Sequence, residues 1–170
     1  MHRKGLLVIP KVAALAALLM FLCAFGSSRT AAAAEVRIPP LKAAPGQQVQ
    51  VPIVVDHIDN LAGLKIVLEY DKTHLTYQST AKAKEAASLI HIVNDKKPGL
   101  LIAVMAGAQG INADRLAILT VTFTVAAGAP AGTSLAVTIS ESQLMSDKLK
   151  DIAHQVKTFP VEIVETQKTE

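Results

Sequence analysis

Histidine is the side chain best suited to bind metal ions or to transfer protons near neutral pH. Beyond residue 34 the chain has four histidines, at His57, His74, His91 and His154. No two of them have the short spacing that places two ligands of one zinc site on the same turn or helix. We therefore expect them on the surface or along strands, and the sequence predicts no metal site and no cofactor.

A short acidic segment with Asp56, Asp59 and Asn60 carries the oxygen ligands that calcium prefers. Asp and Asn are also common in turns, because their side chains accept hydrogen bonds from nearby backbone N–H groups. Of the two interpretations, a solvated turn is favoured over a calcium site.

The motifs that most often carry catalysis are missing from the sequence. It contains no GxSxG, HExxH or CxxC pattern and no glycine-rich phosphate-binding loop. Most of its 14 Asp and Glu residues lie at predicted turns or strand ends. The sequence therefore predicts a protein that is not an enzyme.

The N-terminal region has the three parts of a secretory signal peptide. Basic residues open the chain, an uncharged apolar run covers 12–26, and four alanines at 31–34 permit cleavage before Glu35. The apolar run is shorter than the roughly 20 residues needed to span a bilayer. We predict that residues 1–34 are a cleaved signal peptide and that the protein is secreted or periplasmic.

This leader also accounts for the basic character of the chain. The full sequence has 17 Lys and Arg against 14 Asp and Glu, and four of the basic residues precede residue 35, which leaves 13 against 14. The single cysteine, Cys23, lies there too, and the bulky Leu22 before it argues against lipid attachment. Nucleic-acid binding needs clustered positive charge, so we predict no nucleic-acid partner.

After residue 35 most of the chain alternates apolar and polar residues with a period of two, which is typical of half-buried strands. The alternating segments are 49–55, 64–70, 119–125, 135–139 and 159–163. Turn-forming Pro, Gly, Asn and Asp residues separate them. The pattern predicts an all-β antiparallel sandwich over 35–165, with a loop or one short helix at 81–87 and a polar tail at 166–170.

Two segments depart from this alternation, because 89–93 and 100–106 are apolar on both faces. One orientation turns Ile90, Ile92, Leu100, Ile102 and Val104 toward the core and exposes Leu89, Val93, Leu101, Ala103 and Met105. The exposed set, crossed by His91, would form an apolar patch of the kind that marks protein interaction sites. Central strands covered by a loop explain the pattern equally well.

Several segments, taken in order, resemble the cohesin domain family. The similar segments are 45–53 (PGQQVQVPI), 63–71 (GLKIVLEYD) followed by Leu75, 119–125 (LTVTFTV), and 135–144 leading to Asp151. The resemblance covers residues 36–165. It implies a nine-stranded β-sandwich with jelly-roll topology that binds the dockerin module of a partner protein through one sheet face.

The resemblance also implies that the partner carries the calcium ions and that the pair belongs to extracellular assemblies of the kind that degrade polysaccharides. Carried over by strand position, the partner-binding residues are Lys65, Val67, Glu69, His91, Leu101, Ala103, Met105 and Thr138. Lys65 departs from the family pattern, in which acidic or amide residues are frequent at this place.

Carbohydrate binding or surface assembly on the same fold is the alternative. Flat glycan sites commonly stack sugars on exposed aromatic rings, and this chain has no Trp. We expect Tyr70, Phe123 and Phe159 to point inward, which leaves Tyr77 as a single platform. The sequence therefore favours protein docking over direct binding of polysaccharide.

Overall fold

The computed structural model describes residues 33–165, and nearly all of their regular structure is β-strand. The strands are β1 (Ala34–Ile38), β2 (Leu41–Ala43), β3 (Gln48–Asp56), β4 (Ile58–Tyr70), β5 (Leu75–Lys82), β6 (Ile90–Asn94), β7 (Leu100–Ala113), β8 (Leu116–Val125), β9 (Ser134–Leu135), β10 (Val137–Ser146), β11 (His154–Thr158) and β12 (Val161–Ile163). The segment 81–87 is the end of β5 followed by a 3-10 helix, Lys84–Ala86. The predicted leader, except for Ala33 and Ala34, and the tail 166–170 lie outside the described residues.

Nine of these strands form two main sheets. The five-stranded sheet has the order β11-β1-β3-β8-β5 and the four-stranded sheet has the order β10-β4-β7-β6, while β2, β12 and β9 form a small third sheet. Neighbouring strands are antiparallel except for the pairs β1–β11 and β2–β12. The predicted all-β sandwich is confirmed, and the two parallel pairs are a feature that alternation alone does not reveal.

The core is built from the inward-facing residues of both main sheets. The buried side chains include Val51 and Ile53 of β3, Leu64, Ile66 and Leu68 of β4, Leu101, Ala103 and Met105 of β7, and Val121 and Phe123 of β8. The Phe123 ring lies 4.8 Å from that of Tyr70 and 6.3 Å from that of Tyr77. Each fully buried large apolar side chain contributes about 1.5–3 kcal/mol, so this domain is stabilised by packing.

One aromatic residue departs from the expected orientation. Phe159 precedes β12 and is 45% exposed, whereas an inward position was predicted. It lies with Pro160 in the connection from β11 to β12, where no sheet pairing fixes the direction of its side chain. The alternation that begins at 159 in the sequence therefore forms a strand only from Val161 onward.

Candidate functional site

The side of the four-stranded sheet that faces away from the core carries a continuous set of side chains, which we call the outer sheet face. Its members are Ile90 and Ile92 of β6, Ile102, Val104 and Ala106 of β7, Lys65, Val67 and Glu69 of β4, and Thr138, Glu141, Gln143 and Met145 of β10. One row across the sheet runs through Ile92, Val104, Lys65 and Gln143. The face therefore combines side chains from four strands that are distant in the sequence.

The most exposed apolar side chains of this face belong to β6 and β7. Ile90 is 68% exposed, Ile92 is 64% exposed and Val104 is 38% exposed. Two β-branched residues left in water on the edge strand of a sheet forgo about 1.5–3 kcal/mol each of burial energy. Contiguous apolar exposure of this kind is typical of a protein interaction site.

Strands β6 and β7 have the orientation opposite to the one that would expose Leu101, Ala103 and Met105. These three side chains are 0%, 1% and 1% exposed, and Leu89 is also fully buried. The reason is cross-strand register, because they pair with Leu68, Ile66 and Leu64 of β4, which face the core. The expectation that Leu101, Ala103 and Met105 form the exposed patch is therefore wrong.

His91 is turned inward for the same reason. It pairs with the buried Met105 across β6 and β7, and its Nε2 atom has no hydrogen-bond partner among the described residues. Burial, followed by the positive charge of Lys82, lowers the pKa of His91 below its ordinary value. His91 therefore lies behind the outer sheet face and not on it, which corrects its predicted place among the contact residues.

Four of the predicted contact residues do lie on the outer sheet face: Lys65, Val67, Glu69 and Thr138. Lys65 Nζ donates a hydrogen bond of 2.6 Å to Glu141 Oε1, and Thr138 lies opposite Glu69 in the register. Val67 is 8% exposed but lies outside the core cluster, because its outer-face neighbours Glu141 and Ile102 flank it. The structure thus groups these four residues with the isoleucines of β6.

The outer sheet face also holds four residues that were not among the predicted contact residues and that one of the two orientations considered turned toward the core: Ile90, Ile92, Ile102 and Val104. The signal that could have oriented them lies on the neighbouring strand. Lys65 and Glu69 are charged and so must face water, and the residues opposite them across β4 and β7 are Val104 and Leu100. A correct pairing of the two strands would have placed Val104 on the outer sheet face.

The outer sheet face has an apolar half and a polar half. Strands β6 and β7 supply aliphatic side chains, whereas β4 and β10 supply the Lys65–Glu141 ion pair, Glu69 and Gln143. Between the halves lies a hollow of about 160 Å³, lined by Gly63, Lys65, Val104, Gln143 and Met145 among others. It is open because Gly63 has no side chain, and an added Cβ there would lie 3.2 Å from Met145 Cβ.

Within residues 33–165 the aromatic side chains do not build a flat platform for sugars, because Phe159 is the single one with a largely exposed ring. Tyr70 and Tyr77 are half-buried against Phe123, and the Tyr77 hydroxyl lies 3.1 Å from Thr80 Oγ1.

Within residues 33–165, no helix is long and apolar enough to cross a membrane. The described residues form a β-sandwich, and the outer sheet face is its candidate recognition surface.

Comparison with known proteins places this module in a family. The family model described as "Cohesin domain" matches residues 34–161. The chain belongs to the cohesin domain family. No curated protein sequence matches it significantly.

Solved structures agree with this fold. A non-cellulosomal cohesin from the archaeon Archaeoglobus fulgidus is 17% identical with a TM-score of 0.70, covering 81% of this chain and 94% of that one. The sixth cohesin of scaffoldin B from Acetivibrio cellulolyticus, solved with a Cel5 dockerin mutant, is 18% identical with a TM-score of 0.67, covering 79% and 100%. A cohesin–dockerin complex from Clostridium thermocellum, Coh-OlpA with Doc918, is 18% identical with a TM-score of 0.65, covering 78% and 100%.

Proposed function

We propose that this protein is a non-catalytic module that binds a dockerin-type partner through the outer sheet face. The observation that carries the proposal is the exposure of Ile90 and Ile92 beside Val104 on a sheet whose other side is fully packed. Membership in the cohesin family supports the choice of partner, since cohesins of the same fold have been solved in complex with dockerins.

The chemistry of the face indicates how such a partner would bind. Aliphatic side chains of the partner would cover β6 and β7, and one of them would fill the hollow beside Gly63. Polar groups of the partner would meet Glu69, Gln143 and the Lys65–Glu141 pair. Because exposed ion pairs contribute about 0–1 kcal/mol, the apolar half would supply most of the affinity and the polar half would fix the orientation.

We also propose that residues 1–34 direct secretion and are then removed. The positive start, the apolar run and the alanines before Glu35 support this function. The protein would then meet its partner outside the cytoplasm, as part of an assembly that acts on polysaccharides. Calcium would be carried by the partner, so binding experiments should contain calcium.

The proposal predicts that Ile92→Asp abolishes partner capture without unfolding the protein. Ile92 is 64% exposed, so the free protein tolerates a carboxylate at this position. In the complex the same carboxylate would be buried with no cation or hydrogen-bond donor to compensate its charge. We expect a loss of about 2 kcal/mol or more, which is about 30-fold in Kd. The measurement is capture of secreted proteins of the source organism on the immobilised chain, with dockerin-bearing chains identified by mass spectrometry.

A matched control is Val156→Asp. Val156 is a β-branched residue that is 42% exposed on β11, an edge strand of the other main sheet. The control should capture the same chains as the wild-type protein. The proposal is contradicted if folded Ile92→Asp captures as much partner as the wild-type protein, or if the captured proteins carry no dockerin module. Retention of the wild-type protein on insoluble polysaccharide would favour the carbohydrate alternative.

A further inference from the structure

Two tight turns lie side by side at one end of the sandwich. His57 joins β3 to β4, and Asp114 and Arg115 join β7 to β8; both β3–β8 and β4–β7 are paired strands. Asp56 connects the turns, because its Oδ1 atom accepts hydrogen bonds of 3.0 Å from the backbone N–H groups of His57 and Arg115. The side chains on the two turns are therefore held close to one another.

Three groups that bind metals meet at this corner: the carboxylates of Asp56 and Asp114 and the imidazole of His57. One ligand atom from each lies within 4.8 Å of the others. A metal ion binds one ring nitrogen, and His57 Nδ1 is 3.4 Å from Asp114 Oδ1, whereas the distance of 3.9 Å to Asp56 Oδ1 is from the other ring nitrogen, Nε2. Two ligands bonded to one tetrahedral zinc ion at about 2.0–2.1 Å lie about 3.4 Å apart, whereas an N–H···O hydrogen bond is shorter, about 2.7–3.2 Å.

The charges at this corner also favour a bound cation. The carboxylates of Asp56 and Asp114 lie together at this corner. Two carboxylates so close repel each other unless a proton or a metal ion lies between them.

We propose that Asp56, His57 and Asp114 bind a zinc ion, with water completing the coordination. A ligand set of one imidazole and two carboxylates suits zinc, whereas calcium prefers a shell of oxygen ligands only. The side chain of Asp114 is 74% exposed, and an open cavity of about 330 Å³ adjoins His57 and Asp114, so a hydrated ion can enter. The bound ion would tie the β3–β4 turn to the β7–β8 turn. The site uses no residue of the outer sheet face and does not rest on the proposed docking function.

The test is zinc titration of the full chain after removal of metals with a chelator, followed by calorimetry and thermal unfolding. We expect one zinc ion at this site, and a rise in Tm of about 10 °C at a hundredfold excess over Kd. His57→Asn and Asp114→Asn should each weaken binding at least about tenfold, because loss of a mere supporting partner already costs about 10- to 100-fold. Asn is chosen at position 57 because φ there is 52°, a conformation that Asn tolerates.

The chain offers a matched control in His74, whose Nδ1 atom lies 2.8 Å from Asp71 Oδ2. That pair has an imidazole and a single carboxylate, so His74→Asn should leave zinc affinity unchanged. Replacing zinc with Co²⁺ adds a second measurement, since the intensity of its visible absorption reports low-coordinate, tetrahedral binding and should fall in His57→Asn. The proposal is wrong if the wild-type chain binds no zinc, if both corner variants bind it as tightly as the wild-type chain, or if only His74→Asn weakens binding.

Discussion

At the scale of single residues, His91 is a titratable side chain that its strand turns toward the apolar core. Its ring is turned toward the core, its Nε2 atom is buried with no hydrogen-bond partner within residues 33–165, and the positive charge of Lys82 acts on it. Lys82 itself is held in place by hydrogen bonds from Nζ to the carbonyl oxygens of Ala87 and Leu89. Protonation of His91 would place a second positive charge beneath Ile90 and Ile92.

We therefore predict that stability falls as the pH decreases below about 6.5, the ordinary pKa of histidine. The folded pKa of His91 lies below that value, so the unfolded chain binds the proton first. Above about pH 6.5 His91 is neutral in both states and costs the folded protein no stability. As the pH falls from that value toward the folded pKa of His91, the free energy of unfolding decreases. Urea unfolding at several pH values checks this, with His91→Leu as the reference.

The reference variant isolates His91 from other groups that titrate in acid. Asp56 and Asp71 also have lowered pKa values, the latter chiefly through its hydrogen bond with His74, but they are present in both proteins. The wild-type protein should therefore lose more stability than His91→Leu on going from about pH 7.5 to about pH 5. An identical pH profile for the two proteins would refute the buried, neutral state of His91.

At the scale of elements, β6 and β7 mark the limit of what alternation can decide. Both faces of these strands are apolar, and a shift of one residue reverses every side chain. Strands β3, β4 and β8 were predicted well, because in each of them one face is clearly more polar, as with Gln48 and Gln50 or with Thr120, Thr122 and Thr124. The orientation of β7 depends on its pairing with β4, which is a tertiary contact and leaves no local signal.

Polarity also decides which of the predicted contact residues lie on the outer sheet face. Lys65, Glu69 and Thr138 lie there because their strands have a polar face that is evident from the sequence. Leu101, Ala103 and Met105 were misplaced because hydrophobicity alone does not distinguish them from Ile102 and Val104, so either set could face the core. The corner formed by Asp56, His57 and Asp114 was missed because its members come from two turns separated by more than fifty residues.

Strand β7 therefore allows a direct test of the register with two neighbouring substitutions. Met105→Ala should lower the free energy of unfolding by about 2–5 kcal/mol, because it opens a cavity at a fully packed position. Val104→Ala should change stability by no more than about 0.5 kcal/mol, since Val104 is 38% exposed, but it should weaken partner capture. Chemical denaturation of both variants gives the answer, and a larger loss of stability in Val104→Ala would reverse the assignment of the two faces.

At the scale of the whole molecule, the first and last parts of the domain are joined in one sheet. Strand β1 lies between β3 and β11, pairing antiparallel with β3 and parallel with β11. Val36 and Ile38 of β1 are fully buried. Because β1 lies so close to the predicted cleavage site, its burial limits where the leader can be removed. Cleavage before Glu35 keeps Val36 and Ile38, whereas cleavage after Ile38 would remove both.

We predict that a chain starting at residue 33 is as stable as the longest chain that can be purified, and that one starting at residue 40 is severely destabilised. The shorter chain loses the burial of Val36 and Ile38, about 1.5–3 kcal/mol each, together with the strand that separates β3 from β11. Since single domains are stable by only about 5–15 kcal/mol, such a loss approaches the whole margin. Circular dichroism during urea unfolding compares the two chains, and a synthetic peptide of residues 33–39 added to the shorter one should restore part of its stability if β1 acts through this pairing. Equal stability of the two chains would show that β1 is dispensable, and the cleavage site could then lie beyond it.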